Sequence, residues 1–461
     1  MSTVLFEGFL STTEMLELFG ESSVIQAMMD FEAALARAQA EEGLMPVACA
    51  QAIASVCKAD LYDLPGLIAD GRRSGSLAIP LVKKLTETVA LFDKAAAAYV
   101  HWGSTSQDVI DTGMVLVTRR ALGAIDRDLA RLIGALLSRA RTHARSPVLA
   151  RTLMQPAQVV TLGYKLTGWV APLLRAQQRL REAAARALRL QLGGAVGTLS
   201  AMGPQGPAVA RRMAQALGLP WSSLAWHTQR DEWVALGAEL GVLCGSLGKI
   251  ARDLSLMAQG EIGELAEPSG SGRGGSSAMP HKRNPVSSMA ALAAATRAPQ
   301  RVAALLASMT QEHERGLGNW QAELAEWAGL FLSAHGALAA LAEAAEGLII
   351  DPERMRANIE ALQGLVHAES VSMLLATSMG KAAAHALMES LTQRALASKR
   401  HLRDLTLEAL AQDAALSGLR DRIDPLFDID QAAEPAARIA LEQLDSLEAQ
   451  AQRLQRAPRP F

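Results

Sequence analysis

Aromatic residues are scarce in this sequence. Phe, Trp and Tyr supply only 4% of the 461 residues, although half of the residues are hydrophobic. Ala and Leu must therefore fill the interior, and these are the strongest apolar helix formers. A β-sandwich is disfavoured, because strands prefer β-branched and aromatic residues. The composition predicts an all-α fold, and the chain is long enough for two or three domains.

Cysteine is rare as well. The three cysteines, Cys49, Cys57 and Cys244, form no CxxC pair and have no histidine nearby at metal-ligand spacing. A sparse, odd set of this kind is typical of reduced thiols in a cytosolic protein. The sequence therefore predicts no metal site and a cytoplasmic location.

The sequence also lacks a concentration of charge of one sign. Its 45 basic and 47 acidic residues are mixed along the chain and give a formal net charge of -2. A nucleic-acid groove or a membrane-surface patch needs clustered positive charge, so neither is supported. The N-terminus lacks the basic segment of a signal peptide, and we expect no apolar run of the roughly 18 residues that span a bilayer. We therefore expect no nucleic-acid partner and no membrane partner.

Helical periodicity is the dominant pattern in the sequence. Apolar residues recur at spacings of three and four from Val24 to Ala38, and Gly43 follows as a stop signal. Longer helix-compatible stretches cover residues 112–144, 157–191, 231–264, 286–310 and 320–347. A stretch of about 30 residues extends about 45 Å, and helices that long with apolar residues all round must pack against many partners. The pattern alone leaves both a monomeric bundle and an oligomer open.

Turn-rich segments divide the chain. Residues 60–80 and 101–108 interrupt helical signals, and shorter helices are expected after residue 350. We predict three domains: an N-terminal helical domain over 1–110, a central long-helix bundle over 111–350 and a C-terminal helical domain over 351–461.

The segment 269–285, SGSGRGGSSAMPHKRNP, has the composition of a loop that binds an anion. Its glycines allow unusual backbone conformations and expose amide groups, and Lys282 adds a cation. A helix that starts near Val286 is expected to point its positive end at the bound anion. A flexible linker is the alternative, whereas a Walker A loop is excluded because GxxxxGK[ST] is missing.

The segment 101–108, HWGSTSQD, places three hydroxyls, an amide and an imidazole close together. Donors of this kind suit carboxylate oxygens, and Asp108 stands where it would cap the following helix. An ordinary capped turn is the alternative interpretation.

Residues 275–285, GSSAMPHKRNP, match the GSSxMPxKxNP signature of the fumarase/aspartase superfamily. This resemblance implies a homotetramer with a shared helical core and active sites built from three subunits. It also implies that Ser276 transfers a proton on a mobile catalytic loop, 267–285, and that Lys282 and Asn284 bind substrate carboxylates. A serine hydroxyl is a poor base unless its alkoxide is stabilised, and backbone amides and Lys282 are available for this.

Two further regions resemble the cycloisomerase branch of that superfamily. The tetrad 105–108, TSQD, is more similar to this branch than to adenylosuccinate lyases, which usually have another small residue in place of Gln107. Residues 151–161, RTLMQPAQVVT, resemble the region in which many lyases carry a general-acid histidine, but Leu153 stands there and cannot move a proton. Cycloisomerases also lack that histidine, although they commonly keep another one where this chain has Pro156. The substrate-binding residues implied in these regions are Ser104, Thr105, Ser106, Gln107 and Gln155.

Two more segments are similar to their counterparts in the bacterial cycloisomerases. Residues 226–231, WHTQRD, contain Gln229 and Arg230, which suit an anion. Residues 311–315, QEHER, contain Arg315. A substrate with three negative charges needs several local cations in a chain of nearly neutral balance. The candidates are Lys282, Arg230 and Arg315.

Two histidines are expected to assist substrate binding and proton transfer. His101 and His281 would add pH-dependent positive charge, and either would return the proton to Ser276. We therefore predict Ser276, His101 and His281 as the catalytic residues.

The resemblance implies an intramolecular reaction, the closure of the tricarboxylate 3-carboxy-cis,cis-muconate to a lactone. A carboxylate oxygen adds to a ring-forming carbon, a proton is delivered beside another carboxylate, and charge gathers there as an aci-carboxylate. Preorganised amides and cations can stabilise that charge, so no cofactor is needed. Two alternatives stay open: another superfamily lyase, such as an adenylosuccinate lyase, and a non-catalytic protein that reuses the fold, as lens crystallins do.

Overall fold

The computed structural model describes residues 5–270, 273–275, 278–279, 281–413 and 415–461. Helices account for most of these residues, so the all-α prediction is confirmed. Within the described ranges, four short strands form two small antiparallel sheets.

The N-terminal part consists of helices that surround one long member. That member, α3, covers Glu21–Glu41 and buries its periodic apolar residues from Ile25 to Ala38, as predicted. Gly43 follows it at a φ of 74°, which confirms the predicted stop. The helices of this part are α1 Leu5–Phe9, α2 Thr13–Leu18, α3 Glu21–Glu41, α4 Val47–Ser55, α5 Leu64–Ser74, α6 Ala78–Ala90 and α7 Lys94–Ala97.

The central part contains the long helices that the periodicity predicts, with ends that differ by several residues. The longest has 37 residues, which corresponds to about 55 Å. The helices of this part are α8 Ser106–Thr142, α9 Leu162–Ala187, α10 Gly206–Leu217, α11 Asp231–Met257, α12 Val286–Ala307 and α13 Asn319–Glu346.

A β-hairpin joins α8 to α9 and corrects the prediction of a helix from residue 157. Strands β1 Pro147–Thr152 and β2 Gln155–Thr161 pair antiparallel. The helix begins only at Leu162, where the Thr161 hydroxyl accepts a hydrogen bond from the backbone N–H of Tyr164 over 3.2 Å. Two further strands, β3 Leu265–Ala266 and β4 Ile349–Ile350, pair near the ends of α11 and α13.

Three of the long helices, α8, α11 and α13, begin at the same end of the bundle. Trp327 Nε1 on α13 donates to Thr118 Oγ1 on α8 over 2.9 Å, and both residues lie in the first half of their helices. Helices α9 and α12 run in the opposite direction. Helix α12 approaches α11 closely, since a Cβ atom at Gly241 would lie 2.6 Å from Val302 Cγ2. The hairpin and the Gly/Ser loop therefore both lie at the far end of the bundle.

The C-terminal part contains short helices and one long one. Its own hydrophobic core extends from Val371 to Phe427, whereas the main core joins residues on both sides of the predicted boundary near residue 110. Helix α19 returns to pack on α8, α9 and β2. The helices are α14 Pro352–Glu360, α15 Ala368–Met379, α16 Lys381–Ser398, α17 Leu402–Gln412, α18 Arg420–Ile423 and α19 Ile429–Arg456. The three domain boundaries stay predictions.

Two core helices correct the expectation that no apolar run is long enough for a bilayer. Helices α11 and α13 pass that test by length and composition. Inside this chain, 56% of the most apolar 18-residue window of α11 and 72% of that of α13 are buried. Helices that are apolar all round are found in the cores of large proteins as well as in membranes.

Candidate active site

The segment 101–108 is attached to two distant segments by Asp108. This carboxylate is fully buried and accepts the backbone N–H of the residue that caps α8, over 3.1 Å. It also accepts the N–H groups of Gly193 and Gly194, over 3.0 and 2.9 Å, and its Oδ1 lies 2.7 Å from His227 Nε2. The predicted capping role of Asp108 is confirmed, and its further bonds make it the centre of this part of the site.

Arg315 lies beside the same segment. Its Nη1 donates to Thr105 Oγ1 over 2.8 Å, and its Nη2 donates to the carbonyl oxygen of Ala195 over 2.9 Å. Ser104 and Ser106 flank Thr105 and are half-buried. The structure thus brings four of the predicted substrate-binding residues together at the start of α8.

His101 is held by a carboxylate of α3. Its Nδ1 donates to Glu32 Oε1 over 2.6 Å, and the Glu32 side chain is 1% exposed. Burial lowers the pKa of His101, but the charge and hydrogen bond of Glu32 and the charge of Asp108 outweigh it, so the pKa is raised. Because Glu32 engages Nδ1, the opposite ring nitrogen, Nε2, is left for a substrate or for proton transfer.

Arg230 lies below this surface, which argues against its predicted role in substrate binding. Its guanidinium is 1% exposed and forms ion pairs with Asp111, over 2.9 Å, and with Glu323. Trp226 covers it, with the ring centroid 4.5 Å from the guanidinium carbon. Burial lowers the pKa of Arg230, but the two carboxylates raise it by more than burial lowers it. The pKa is therefore raised, and the group stays charged. A fully paired buried guanidinium supports the helices around it instead of contacting a ligand.

Gln107 belongs to the same buried network. It is fully buried, and its Nε2 donates to the carbonyl oxygen of His227 over 2.8 Å and to Asp111 Oδ2 over 3.2 Å. Like Arg230, it therefore fastens the start of α8 to the segment before α11, and this placement also argues against substrate binding. Gln229 differs, since it is exposed and lines a cavity of about 260 Å³ with Trp226 and Arg189.

At the opposite end of the bundle, Gln155 stands at the base of an exposed hairpin tip. Leu153 and Met154 form that tip with φ angles of 50° and 67°, and their exposed fractions are 97% and 68%. Arg151 fastens the hairpin to the chain before the Gly/Ser loop through a two-pronged ion pair with Glu264, at 2.8 and 3.1 Å. A positive φ is strained for residues with bulky side chains such as Leu153 and Met154.

The positive end of α12 is occupied by a carboxylate of the same chain. Glu267 accepts the backbone N–H groups of Ser287 and Ser288, over 2.9 and 2.8 Å, and the Ser288 hydroxyl over 2.7 Å. This corrects the expectation that the helix end points at a bound anion, because its N–H groups are already satisfied.

Backbone and side-chain contacts close the base of the Gly/Ser loop. The Asn284 N–H donates to the Gly274 carbonyl oxygen over 2.8 Å. Gly274 has a φ of 64°, and a Cβ atom there would lie 2.6 Å from the Asn284 carbonyl oxygen, so glycine is required. Arg273 pairs with Glu343 of α13 and donates to Ser287 Oγ over 2.8 Å.

The predicted catalytic and binding residues of this loop lie beyond its base. His281 and Lys282 are exposed, and Asn284 is half-buried. Ser276 lies outside the described residues, so its predicted role stays a prediction.

The predicted site residues thus form two groups within one chain. His101, Thr105 and Arg315 lie where α11 begins, whereas Gln155, Lys282 and Asn284 lie near where it ends. Helix α11 has 27 residues, so the groups are separated by about 40 Å. Across the described ranges, no group of three His, Cys, Asp or Glu side chains is arranged to hold a metal ion.

Comparison with known proteins identifies the family. Residues 10–299 match the profile of a family described as Lyase. The 3-carboxy-cis,cis-muconate cycloisomerase of Bradyrhizobium diazoefficiens is 47% identical over 442 residues, which cover 95% of this chain and 97% of that protein. The chain belongs to the 3-carboxy-cis,cis-muconate cycloisomerase family. The enzyme of that name from Pseudomonas aeruginosa is 48% identical and matches over 92% of each chain.

The fold of this chain also agrees with that of the cycloisomerase family. The crystal structure of the 3-carboxy-cis,cis-muconate lactonizing enzyme from Pseudomonas putida matches 98% of this chain and 100% of that chain, with a TM-score of 0.91 and 42% identity. The predicted superfamily and its helical architecture are therefore confirmed.

Within this cycloisomerase fold, three carboxylates support the site and were not predicted to do so: Glu32, Glu267 and, beyond its capping role, Asp108. Glu32 had a detectable signal, because it is a carboxylate between the apolar residues Phe31 and Ala33 of α3. The signal for Glu267 is weaker, since an acid at the start of a Gly/Ser segment also suits a solvated linker.

Proposed function

We propose that this protein catalyses the intramolecular lactonisation of 3-carboxy-cis,cis-muconate to 4-carboxymuconolactone in the degradation of protocatechuate. Family membership supports this proposal. The observation that carries it is Leu153, which occupies the exposed hairpin tip in the region where, by the resemblance, many lyases of the superfamily carry a general-acid histidine. A leucine cannot protonate a leaving group, but ring closure within one molecule releases none.

The reaction needs one new bond and one proton. A carboxylate oxygen of the substrate forms a C–O bond, the π electrons move toward another carboxylate as an aci-carboxylate, and a proton then adds to the adjacent carbon. Ser276 and His281 are proposed for the proton, and His101, supported by Glu32, is proposed to face the site with Nε2. Arg315 and Lys282 are the accessible cations for the three negative charges.

We also propose a homotetramer of the cytoplasm, in which several copies complete each active site. The two groups of site residues are about 40 Å apart within one chain, which is too far for a single substrate. The faces of the bundle helices remain partly apolar, with Val242, Met289 and Leu306 about half exposed. Exposed apolar surface of this kind is typical of an interface between subunits.

An absorbance assay tests the reaction. Purified protein is mixed with 3-carboxy-cis,cis-muconate, and the loss of the conjugated diene is followed, with adenylosuccinate in a parallel sample. Loss of the diene with a lactone as product supports the proposal. Cleavage of adenylosuccinate instead would replace it with the lyase alternative, and inactivity with both would favour the non-catalytic alternative.

A complementation assay tests the shared site. His101→Asn and Lys282→Met are each expected to be inactive, because each removes one group of site residues. If copies share sites, co-refolding the two variants restores part of the activity, since some sites combine two intact groups. Absence of any recovery in a correctly assembled mixture would contradict sharing.

A further inference from the structure

A cavity of about 410 Å³ lies between α3, the middle of α8 and the end of α10. Alanine and leucine side chains form much of its wall. Four cations also line it: Arg37, Lys58, Arg119 and Arg120. Among the described lining residues, Asp30 is the single carboxylate, and it accepts a hydrogen bond from Gln26 over 2.8 Å.

Within the described part of the chain, direct ion pairs do not neutralise the positive charge of this cavity, although Glu17, Glu21 and Asp60 line a neighbouring cavity with Lys58 and Arg120. In the described ranges, none of the four cations forms an ion pair with a carboxylate. Glu41 and Glu42, farther along α3, are paired with Arg212. Glu32 is engaged by His101. Four cations and one carboxylate therefore share a concave surface.

Two of the four cations are held by the backbone. Arg119 Nη1 donates to the carbonyl oxygens of Leu217 and Gly218, over 2.9 and 3.1 Å. Arg120 Nε donates to the Leu116 carbonyl oxygen over 3.3 Å. Burial and the charge of Arg120 lower the pKa of Arg119, and both side chains line the cavity. Cations fixed in this way lose less conformational entropy when a ligand binds.

We propose that this cavity is a second anion site, separate from the candidate active site, that binds a small molecule with two or more phosphate or carboxylate groups. Guanidinium groups bind such oxygens in pairs of parallel hydrogen bonds, and Lys58 adds a compact charge. A cavity of this volume is in the usual range for small-molecule sites. The proposal does not rest on the proposed function, because the two sites share no residue.

The walls of the cavity connect it with the candidate active site. Helix α3 carries both Arg37 in the cavity and Glu32 on His101, and α8 carries Arg119 and also begins at the site segment. An anion that bridges α3 and α8 would bind the folded state and stabilise it.

Binding of inorganic pyrophosphate and of citrate tests the proposal. Titration calorimetry on the intact protein is expected to detect one such site per chain. The double variant Arg37→Gln/Arg120→Gln should weaken that binding at least about tenfold, because two of the four cations are gone. Stronger binding of pyrophosphate identifies a phosphate ligand, and stronger binding of citrate identifies a carboxylate ligand.

Two further variants make the result specific. Arg72→Gln/Arg73→Gln removes the same charge from the exposed surface of α5 and should leave the binding unchanged. Lys282→Met weakens the candidate active site, so binding that persists in it belongs elsewhere. The proposal is overturned if all variants bind alike or if Lys282→Met alone abolishes binding. Thermal unfolding is measured as well, and the proposal is also overturned if sodium chloride at matched ionic strength raises the Tm as much as pyrophosphate does.

Discussion

His101 donates to Glu32 over 2.6 Å, although the two residues are 69 positions apart in the sequence. The contact joins the segment before α8 to the buried face of α3. It orients the imidazole and favours its protonated form.

We expect Glu32→Gln to lower the pKa of His101, because only the charge of Asp108 would then oppose the effect of burial on the ring. If the protonated ring binds the substrate, the alkaline limb of the kcat/KM profile should move to lower pH. A pH series of initial rates, with the imidazole followed by NMR, measures both effects. An unchanged profile together with a lowered pKa would show that His101 is not charged during the reaction.

The same variant has an expected stability profile. A raised folded pKa means that the protonated histidine adds stability below its unfolded value of about 6.5, and this stability is lost as the pH rises through the folded pKa. Glu32→Gln should therefore cost about 1.5–3 kcal/mol near pH 6 and less near pH 9. Urea unfolding at the two pH values measures the difference, and equal losses would contradict a charged pair.

Replacement by methionine should have different effects on stability and KM at Arg230 and at Arg315. Arg230→Met leaves the buried carboxylates of Asp111 and Glu323 without their cation, so we expect a loss of about 3–5 kcal/mol in unfolding free energy. Arg315→Met should lower stability by no more than about 1 kcal/mol but raise KM, because its guanidinium reaches the site segment. A stable Arg230→Met protein with only a raised KM would restore the substrate-binding role to Arg230.

Much of the fold could be predicted because helical periodicity is a local signal. The buried face of α3 and the long central helices follow from it. The hairpin before α9 could not be predicted in this way, since the sequence from residue 157 onward is apolar enough for either structure. Hydrogen bonding by Thr161 and strand pairing decide that region, and neither is visible in the spacing of apolar residues.

The site was harder to predict than the fold. Recognition of the motifs predicted the segments of the candidate site, but it could not separate Arg315, which is half-buried, from Arg230, whose guanidinium is fully buried. That difference depends on Asp111 and Glu323, which are distant in the sequence. Burial is a property of packing between elements, so a motif alone does not determine it.

Glu267 should be important for the local stability of α12. Glu267→Ala removes the acceptor for two backbone N–H groups and one hydroxyl, and loss of such a cap costs about 1–2 kcal/mol. Glu267→Gln keeps an acceptor and should cost less. Hydrogen exchange at Ser287 and Ser288 measures the effect directly, and unchanged protection in Glu267→Ala would mean that water replaces the carboxylate without loss.

Gly274 should matter more for activity than for global stability. Gly274→Ala places a Cβ atom 2.6 Å from the Asn284 carbonyl oxygen at a φ of 64°, so the base of the loop must shift. The strain of a left-handed alanine is about 1–2 kcal/mol. Because Asn284 and Lys282 follow this contact, we expect kcat/KM to fall about tenfold or more while Tm falls by only a few degrees.

Gly270→Ala is the matched control for that variant. Gly270 belongs to the same loop, but a Cβ atom there meets no heavy atom within 4 Å. It should retain both kcat/KM and Tm, since neither a clash nor a left-handed backbone is involved. If Gly274→Ala is as active as Gly270→Ala, the contact between Gly274 and Asn284 does not position the residues proposed to bind the substrate carboxylates. If both variants lose activity equally, the loop requires glycine for flexibility along its length, and the fixed base is not the reason.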